Sequence, residues 1–301
     1  MERMFEIEEA LYPFESHFFE YKPYGYIHYL DEGPKDAPAI VLFHGNPSYS
    51  LLYSEIIQLL RGKFRCIAPD YLGFGFSSKP DYHEYGYTPQ EHSDAMIAFL
   101  ETLDLSEFSV FVQDWGGPIG LNAACEFAEK IKCLFIGNTW AWPFRHNTKM
   151  GEASRGFSHK MGGYPMKEKI MEKNTFLTIS IPLLIRGMRK RNPDLVPALK
   201  QAYLAPFEKP EHRIPTWVFP REITHSYPFL FFLEQKLEVL LEKPTILFWG
   251  EQDKVFPTIV REEWEKKLKA YRRVDLPKAS HFFQSEEPDL IAEEITKELR
   301  G

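Results

Sequence analysis

Apolar positions in this chain fall mostly in short, unbroken runs rather than in alternation. The runs are Ala39–Phe43, Arg65–Ala68, Ser109–Gln113, Lys132–Ile136, Thr245–Trp249 and Arg272–Leu276, and most lead into a Gly-containing loop and a helix-like stretch. A strand that is apolar on both faces is covered on both, so the pattern predicts a largely parallel sheet flanked by helices. Two earlier segments, Ser16–Glu20 and Tyr26–Leu30, read as antiparallel entry strands, the second closed by the turn signal Asp31-Glu32-Gly33-Pro34. Strands followed by strand–helix repeats predict a doubly wound α/β fold.

The repeat is interrupted between Ile136 and Thr245, a gap far longer than an ordinary loop. Helix-like stretches at Met166–Thr178, Asp194–Tyr203 and Pro228–Leu241 lie there, punctuated by Pro182, Pro193, Pro197, Pro206, Pro210, Pro215 and Pro220. The expected organisation is a core of residues 1–140 and 229–301 with a helical cap, residues 141–228, inserted between two strands.

Composition narrows the function. At 301 residues, 44% hydrophobic and 26% charged, the chain can bury a sizeable core. The 15% aromatic content suits an apolar cavity. A net charge of −7 argues against nucleic acid or an anionic membrane as partner. One basic cluster, Arg186, Arg189, Lys190 and Arg191, reads as a solvated helix end. Cys66, Cys125 and Cys133 are too few and too irregularly spaced for a disulfide framework or a zinc site. The start, MERMFEIEEALYPF, is acidic without a long apolar core, and no stretch reaches the ~18 apolar residues of a membrane span, so a cytoplasmic location is expected.

The chemistry centres on Val112-Gln113-Asp114-Trp115-Gly116-Gly117, after a buried strand and before the helix-like Pro118–Lys130. This is a nucleophile elbow, a tight strand-to-helix turn that exposes its middle residue and needs small neighbours. Gly116 and Gly117 supply them, while Gly120, Ala123 and Ala124 let the helix lie close to the sheet. The apex is aspartate where serine is usual. A carboxylate with a reference pKa of ~3.9 is already a nucleophile at neutral pH. It attacks saturated carbon usefully but gains nothing from an ester, since the product would be an anhydride. The apex therefore points to alkyl substrates carrying a leaving group.

Three further segments support it. His44-Gly45-Asn46-Pro47 follows the Ala39–Phe43 strand, where a backbone N–H is offered to an oxyanion hole together with that of Trp115; His44 itself reads as a structural, hydrogen-bonded side chain. Ala279-Ser280-His281-Phe282 follows the last strand and places His281 as general base. Trp249-Gly250-Glu251-Gln252-Asp253 offers Asp253 to hold the His281 tautomer, with Glu251 a rival close to the strand end.

The segments HGNPS at 44–48, DYLGFGFSSKP at 70–80, QDWGG at 113–117, GNTWAWP at 137–143, WGEQD at 249–253 and ASHF at 279–282 resemble those of haloalkane dehalogenases. The resemblance implies an α/β-hydrolase fold with a mostly parallel eight-stranded sheet and helical cap, and hydrolysis of a haloalkane to alcohol and halide without cofactor or metal. It also implies that the halide is held by the Trp115 indole and the Asn46 amide, groups able to donate to a pure acceptor. In a large branch of the family the acid is a glutamate after the strand corresponding to Lys132–Ile136. That place is Asn138 here, so the resemblance narrows to the third subfamily, Asp–His–Asp with Asn–Trp, whose members are often oligomeric; a homo-oligomer joins the expected partners.

The nearest alternative is an epoxide hydrolase, which uses the same aspartate but needs proton donors from the cap; Tyr164, Tyr203 and Tyr227 are candidates. Asn46, where those enzymes usually carry an aromatic, favours halide. A non-catalytic ligand binder would be expected to lose part of this residue set, and a luciferase-like oxygenase is disfavoured by Asn138. Trp140, Trp142, Phe144, Phe176 and Phe229 are candidate pocket or core residues.

Overall fold

The candidate site segments converge because the parallel strands that precede them end on one side of the molecule. The computed structural model describes residues 3–300, so Met1, Glu2 and Gly301, included in the expected core segments, lie outside the described residues. Eight strands form one sheet: β1 (His17–Tyr21), β2 (Gly25–Glu32), β3 (Ala39–Phe43), β4 (Arg65–Pro69), β5 (Phe108–Asp114), β6 (Ile131–Thr139), β7 (Thr245–Gly250) and β8 (Tyr271–Leu276). Their order is β1-β2-β4-β3-β5-β6-β7-β8, antiparallel from β1 to β4 and parallel beyond. The apolar runs predicted the largely parallel, helix-flanked sheet, and the eight-stranded arrangement is the α/β-hydrolase fold that the resemblance implied.

The runs explain the burial. Every residue of β3, β5 and β7 is buried. The last run behaves differently, since Tyr271–Asp275 of β8 are exposed or half-buried. As an edge strand β8 is covered on one side only, and its charged residues pair locally, Arg273 with Glu265 and Asp275.

Helices α1 (Ser54–Leu60), α2 (Pro89–Thr102) and α3 (Gly116–Glu126) connect the first core strands. The start of α2 is set by a capping box between Thr88 and Glu91, with proline in the first turn. Between β6 and β7 run α4 (Lys149–Gly162), α5 (Tyr164–Lys173), α6 (Thr175–Leu184), α7 (Arg186–Arg191), α8 (Val196–Leu204), α9 (Ile214–His225) and α10 (Tyr227–Lys236). Helices α11 (Thr258–Lys267) and α12 (Pro288–Arg300) complete the core. Among the described residues no helix is long and apolar enough to cross a membrane.

The cap departs from the expected helices in instructive ways. Met166–Thr178 is not one helix, because Asn174 adopts φ 50° and ends α5 before α6 begins. Asn is among the few residues that enter the left-handed region readily, so it acts as a C-terminal stop. Pro182 and Pro220, expected as punctuation, sit inside α6 and α9. Pro197 and Pro215 lie in the first turns of α8 and α9, where a missing N–H costs nothing. The basic cluster forms α7, but only part of it is a solvated end. The Arg191 guanidinium bonds the Ser285 and Glu286 carbonyls at 2.8 and 3.1 Å and pairs with Glu55, tying the cap to the core.

Candidate active site

Asp114 is the last residue of β5 and has φ 50°, a strained value for a residue other than Gly. The turn is held by Thr139, whose hydroxyl donates to the Asp114 carbonyl, and by close backbone approach. A β-carbon on Gly45 would fall on the Asp114 carboxyl, and one on Gly116 would strike the carbonyl oxygens of Phe43 and His44. Those obstacles at Gly116 are backbone and cannot swing aside. Gly116→Ala is therefore expected to push α3 off the end of β3 and destabilise the protein by about 1–3 kcal/mol. The check is a lower Tm, together with loss of activity from displacement of the Asn46 loop.

Two backbone donors face the carboxylate. The Asn46 N–H donates to Asp114 Oδ1 at 2.8 Å, and the adjacent Trp115 N–H acts with it to favour the charged carboxylate. This ties down Oδ1, while Oδ2 lies 3.7 Å from His281 Nε2. On its other side His281 Nδ1 is 2.9 Å from Asp253 Oδ2. Asp253 is itself anchored: Asn138 Nδ2 donates to Oδ2 at 2.8 Å and the Val255 N–H to Oδ1 at 2.7 Å. Glu251 instead pairs with Arg261. The structure thus brings together Asn46, Asp114, Trp115, Asp253 and His281, and Asp253 is the acid that faces the imidazole.

The electrostatics follow from burial. Asp114, Trp115, Asn46, Asp253 and His281 are all buried. Desolvation raises the Asp114 pKa; His281 and the two backbone N–H groups pull it back, but the net direction is upward. His281 is pulled down by desolvation, yet the Asp253 carboxylate, through its charge and its hydrogen bond, and the Asp114 charge raise it above the ordinary histidine value. Asp253 is desolvated too, but His281 and the Val255 and Phe256 backbone N–H groups hold its pKa below the usual carboxylate range. His44 is pushed down to about 4 by burial and takes no part; it bonds the Gly45 carbonyl at 2.9 Å and receives the Tyr71 N–H at 3.0 Å.

Around the elbow the inserted helices supply a roof, through a helix that none of the expected helical stretches included. Helix α9 places Phe219 against the Trp115 ring, with centroids 5.1 Å apart, and the Thr216 carbonyl 3.5 Å from Asn46 Nδ2. Trp140 meets Trp115 edge-on at 4.7 Å and stacks on Phe256 and Phe144. Trp142 packs against Trp264 instead, and Phe176 and Phe229 are buried. Tyr164, Tyr203 and Tyr227 do not converge: they pack against Trp217, Tyr49 and Phe231 respectively, and Tyr164 and Tyr227 are exposed. A surface cleft of about 300 Å³, lined by Leu11, Leu51, Leu184, Met188, Leu199 and Tyr203 among others, touches neither Asp114 nor His281. Among the described residues no cluster of three or more His, Cys, Asp or Glu is arranged to hold a metal.

Three residues support the site in ways the sequence did not show. Asn138, at φ 39°, uses its side chain to brace both Asp253 and Gly250, accepting the Gly250 N–H at 2.7 Å. Glu286 is buried, accepts the Ser280 N–H at 2.9 Å and forms an ion pair with Arg186 of α7 at 3.2 Å, so a cap helix braces the residue before His281. Gln113 touches His281 directly. Its one available signal was a polar side chain ending an apolar strand.

Residues 38–288 match the alpha/beta hydrolase fold family. Haloalkane dehalogenase 2 of Mycobacterium bovis is 38% identical over 293 residues, covering 97% of each chain. A cis-3-alkyl-4-alkyloxetan-2-one decarboxylase of Shewanella oneidensis is 29% identical, covering 95% of this chain and 89% of that one. In three dimensions the crystal structure of haloalkane dehalogenase DbeA from Bradyrhizobium elkani shares the fold, with a TM-score of 0.81 at 23% identity, covering 95% of this chain and 98% of the other.

Proposed function

Since this chain belongs to the haloalkane dehalogenases of the α/β-hydrolase fold, we propose that it hydrolyses carbon–halogen bonds through an alkyl ester on Asp114. The observation that supports this reading is the unequal treatment of the two carboxylate oxygens. Oδ1 is occupied by the Asn46 N–H, whereas Oδ2 is the oxygen nearer His281 Nε2. Oδ2 forms the new bond to the alkyl carbon, and the carbon–halogen pair leaves with the halide. The Trp115 indole and the Asn46 amide donate to the departing anion; in a dry site such donors act far more strongly than in water.

The second step uses the opposite end of the carboxyl group. His281 Nε2 takes a proton from water as the oxygen attacks the Asp114 carboxyl carbon. Negative charge develops on Oδ1, where the Asn46 and Trp115 backbone N–H groups receive it. Collapse expels the alkoxide, which takes the proton from His281 and leaves as alcohol, and the Asp114 carboxylic acid then loses the remaining proton to restore the carboxylate. Summed, haloalkane and water give alcohol, halide and a proton. Asp253, braced by Asn138, holds the Nδ1–H tautomer and stabilises the imidazolium. This Asp–His–Asp set with Asn46 and Trp115 fits the third subfamily, and residues 141–228 act as the cap that keeps bulk water out.

Oxygen labelling tests the ester. In a single turnover in ¹⁸O-water, the alcohol is expected to carry ordinary oxygen and the label to enter Asp114, since the ester oxygen leaves with the alkyl group. Label in the first-turnover alcohol would mean direct attack by water on the alkyl carbon and would overturn the scheme. Styrene oxide run beside a bromoalkane separates the epoxide reading, which the scattered cap tyrosines disfavour.

A further inference from the structure

Gln113 is the one polar residue of the buried strand β5 apart from its first serine and its terminal aspartate. Its side-chain nitrogen lies 3.1 Å from the His281 carbonyl and 3.2 Å from His281 Nε2. The carbonyl accepts only, so the amide must present NH₂ at this end, and its two hydrogens match the two acceptors when Nε2 carries a lone pair. That condition is met by the tautomer with hydrogen on Nδ1, the atom facing Asp253 at 2.9 Å. The other end of the amide, Oε1, is buried without a partner.

From this geometry we infer that Gln113 is a positioning residue for the hydrolytic half-reaction: its amide holds His281 as a neutral base with Nε2 unprotonated and offers Oε1 to the second hydrogen of the attacking water. The inference rests on the alkyl-ester reading. A proton on Nε2 would set N–H against N–H, so Gln113 opposes protonation there and helps His281 return the proton to the alkoxide. At 3.2 Å the amide contact is weak enough for water to displace it. An unpartnered buried acceptor is costly unless something fills it, and water is the polar molecule this step brings to Nε2.

The titratable groups facing His281 are Asp253, from the loop after β7, and Asp114, at the end of β5; Glu286 stands behind Ser280. During hydrolysis Asp114 is an uncharged ester, which removes one of the charges raising the His281 pKa. The base is then governed by Asp253, which raises its pKa, and Gln113, which lowers it. Loss of the Gln113 donor must therefore move the acid limb of hydrolysis to higher pH.

The experiment compares wild type with Gln113→Met and Gln113→Glu in rapid-mixing assays with a bromoalkane from pH 5 to 9, reading bromide burst and alcohol release separately. Gln113→Met is expected to leave the burst rate within about threefold, slow hydrolysis about tenfold, and raise its acid limb by about one pH unit. Gln113→Glu, nearly isosteric, keeps an oxygen but loses the donor and adds charge, so its limb moves further in the same direction and decides the matter should the methionine variant fold poorly. An unmoved limb, or burst and hydrolysis falling together, would overturn the role. His281→Phe treated in parallel reports on the ester alone, so an absent adduct there indicts the covalent scheme rather than Gln113.

Discussion

His281→Phe is expected to release one halide per active site and then stop, leaving a stable alkyl ester on Asp114. The first step needs only the Asp114 Oδ2 and the halide donors, none of which the substitution removes. The second needs a base beside the ester carbonyl, and phenylalanine offers none. The ring should be accepted in shape, since His281 is already packed among aromatics, with Phe256 at 5.7 Å and Phe282 at 4.6 Å. After exposure to a bromoalkane, intact mass should rise by that of the alkyl group less one hydrogen, and turnover should fall on the order of 10⁴-fold or more. A folded variant that turns over repeatedly, or that releases halide with no adduct, would exclude the proposed division of labour.

Asp114→Asn is expected to abolish halide release altogether, again on the order of 10⁴-fold or more, while leaving the fold at least as stable. The sign of the stability effect follows from the raised pKa of Asp114, whose first cause is desolvation. A carboxyl whose folded pKa lies above its unfolded value makes the native state less stable once pH exceeds the unfolded pKa, because the folded environment disfavours the charge. A neutral amide of the same shape removes that penalty, is tolerated at φ 50°, and still accepts the Asn46 N–H. The Tm at neutral pH should hold or rise as activity vanishes; a clear fall would show that the charge holds the elbow together. The same raised pKa places the acid limb of the wild-type halide burst above the range of a free carboxylate.

Local features carried much of this in one dimension. Unbroken apolar runs such as Ala39–Phe43 and Thr245–Trp249 announce strands buried on both faces, because covering both sides of a strand leaves no polar alternation to see. The elbow is legible for a similar reason: its backbone comes so close to Phe43 and His44 that only glycine fits at Gly116. The proposed nucleophile is announced by an aspartate at that apex.

Other features were invisible because no local signal encodes them. Glu251 and Asp253 are equally acidic in a string of letters, and only the turn after β7 decides that Asp253 meets His281 while Glu251 meets Arg261. Asn138 drew notice as a missing acid, yet β6 lies between β5 and β7, and that order lets its amide reach Gly250 and Asp253. The bracing of Ser280 by Glu286 and Arg186 joins a loop to a helix distant in the chain. The roof of α9 over Trp115 was hidden by Pro220, which reads as a break until packing holds the helix together around it. The order of residues by itself determined the strands, the small-residue elbow and its aspartate, since periodicity and close backbone approach are properties of neighbours. Strand order and cap docking decided which acid faces the base, which amide steadies it and what covers the indole, because hydrogen bonds between distant segments exist only once the chain has closed on itself.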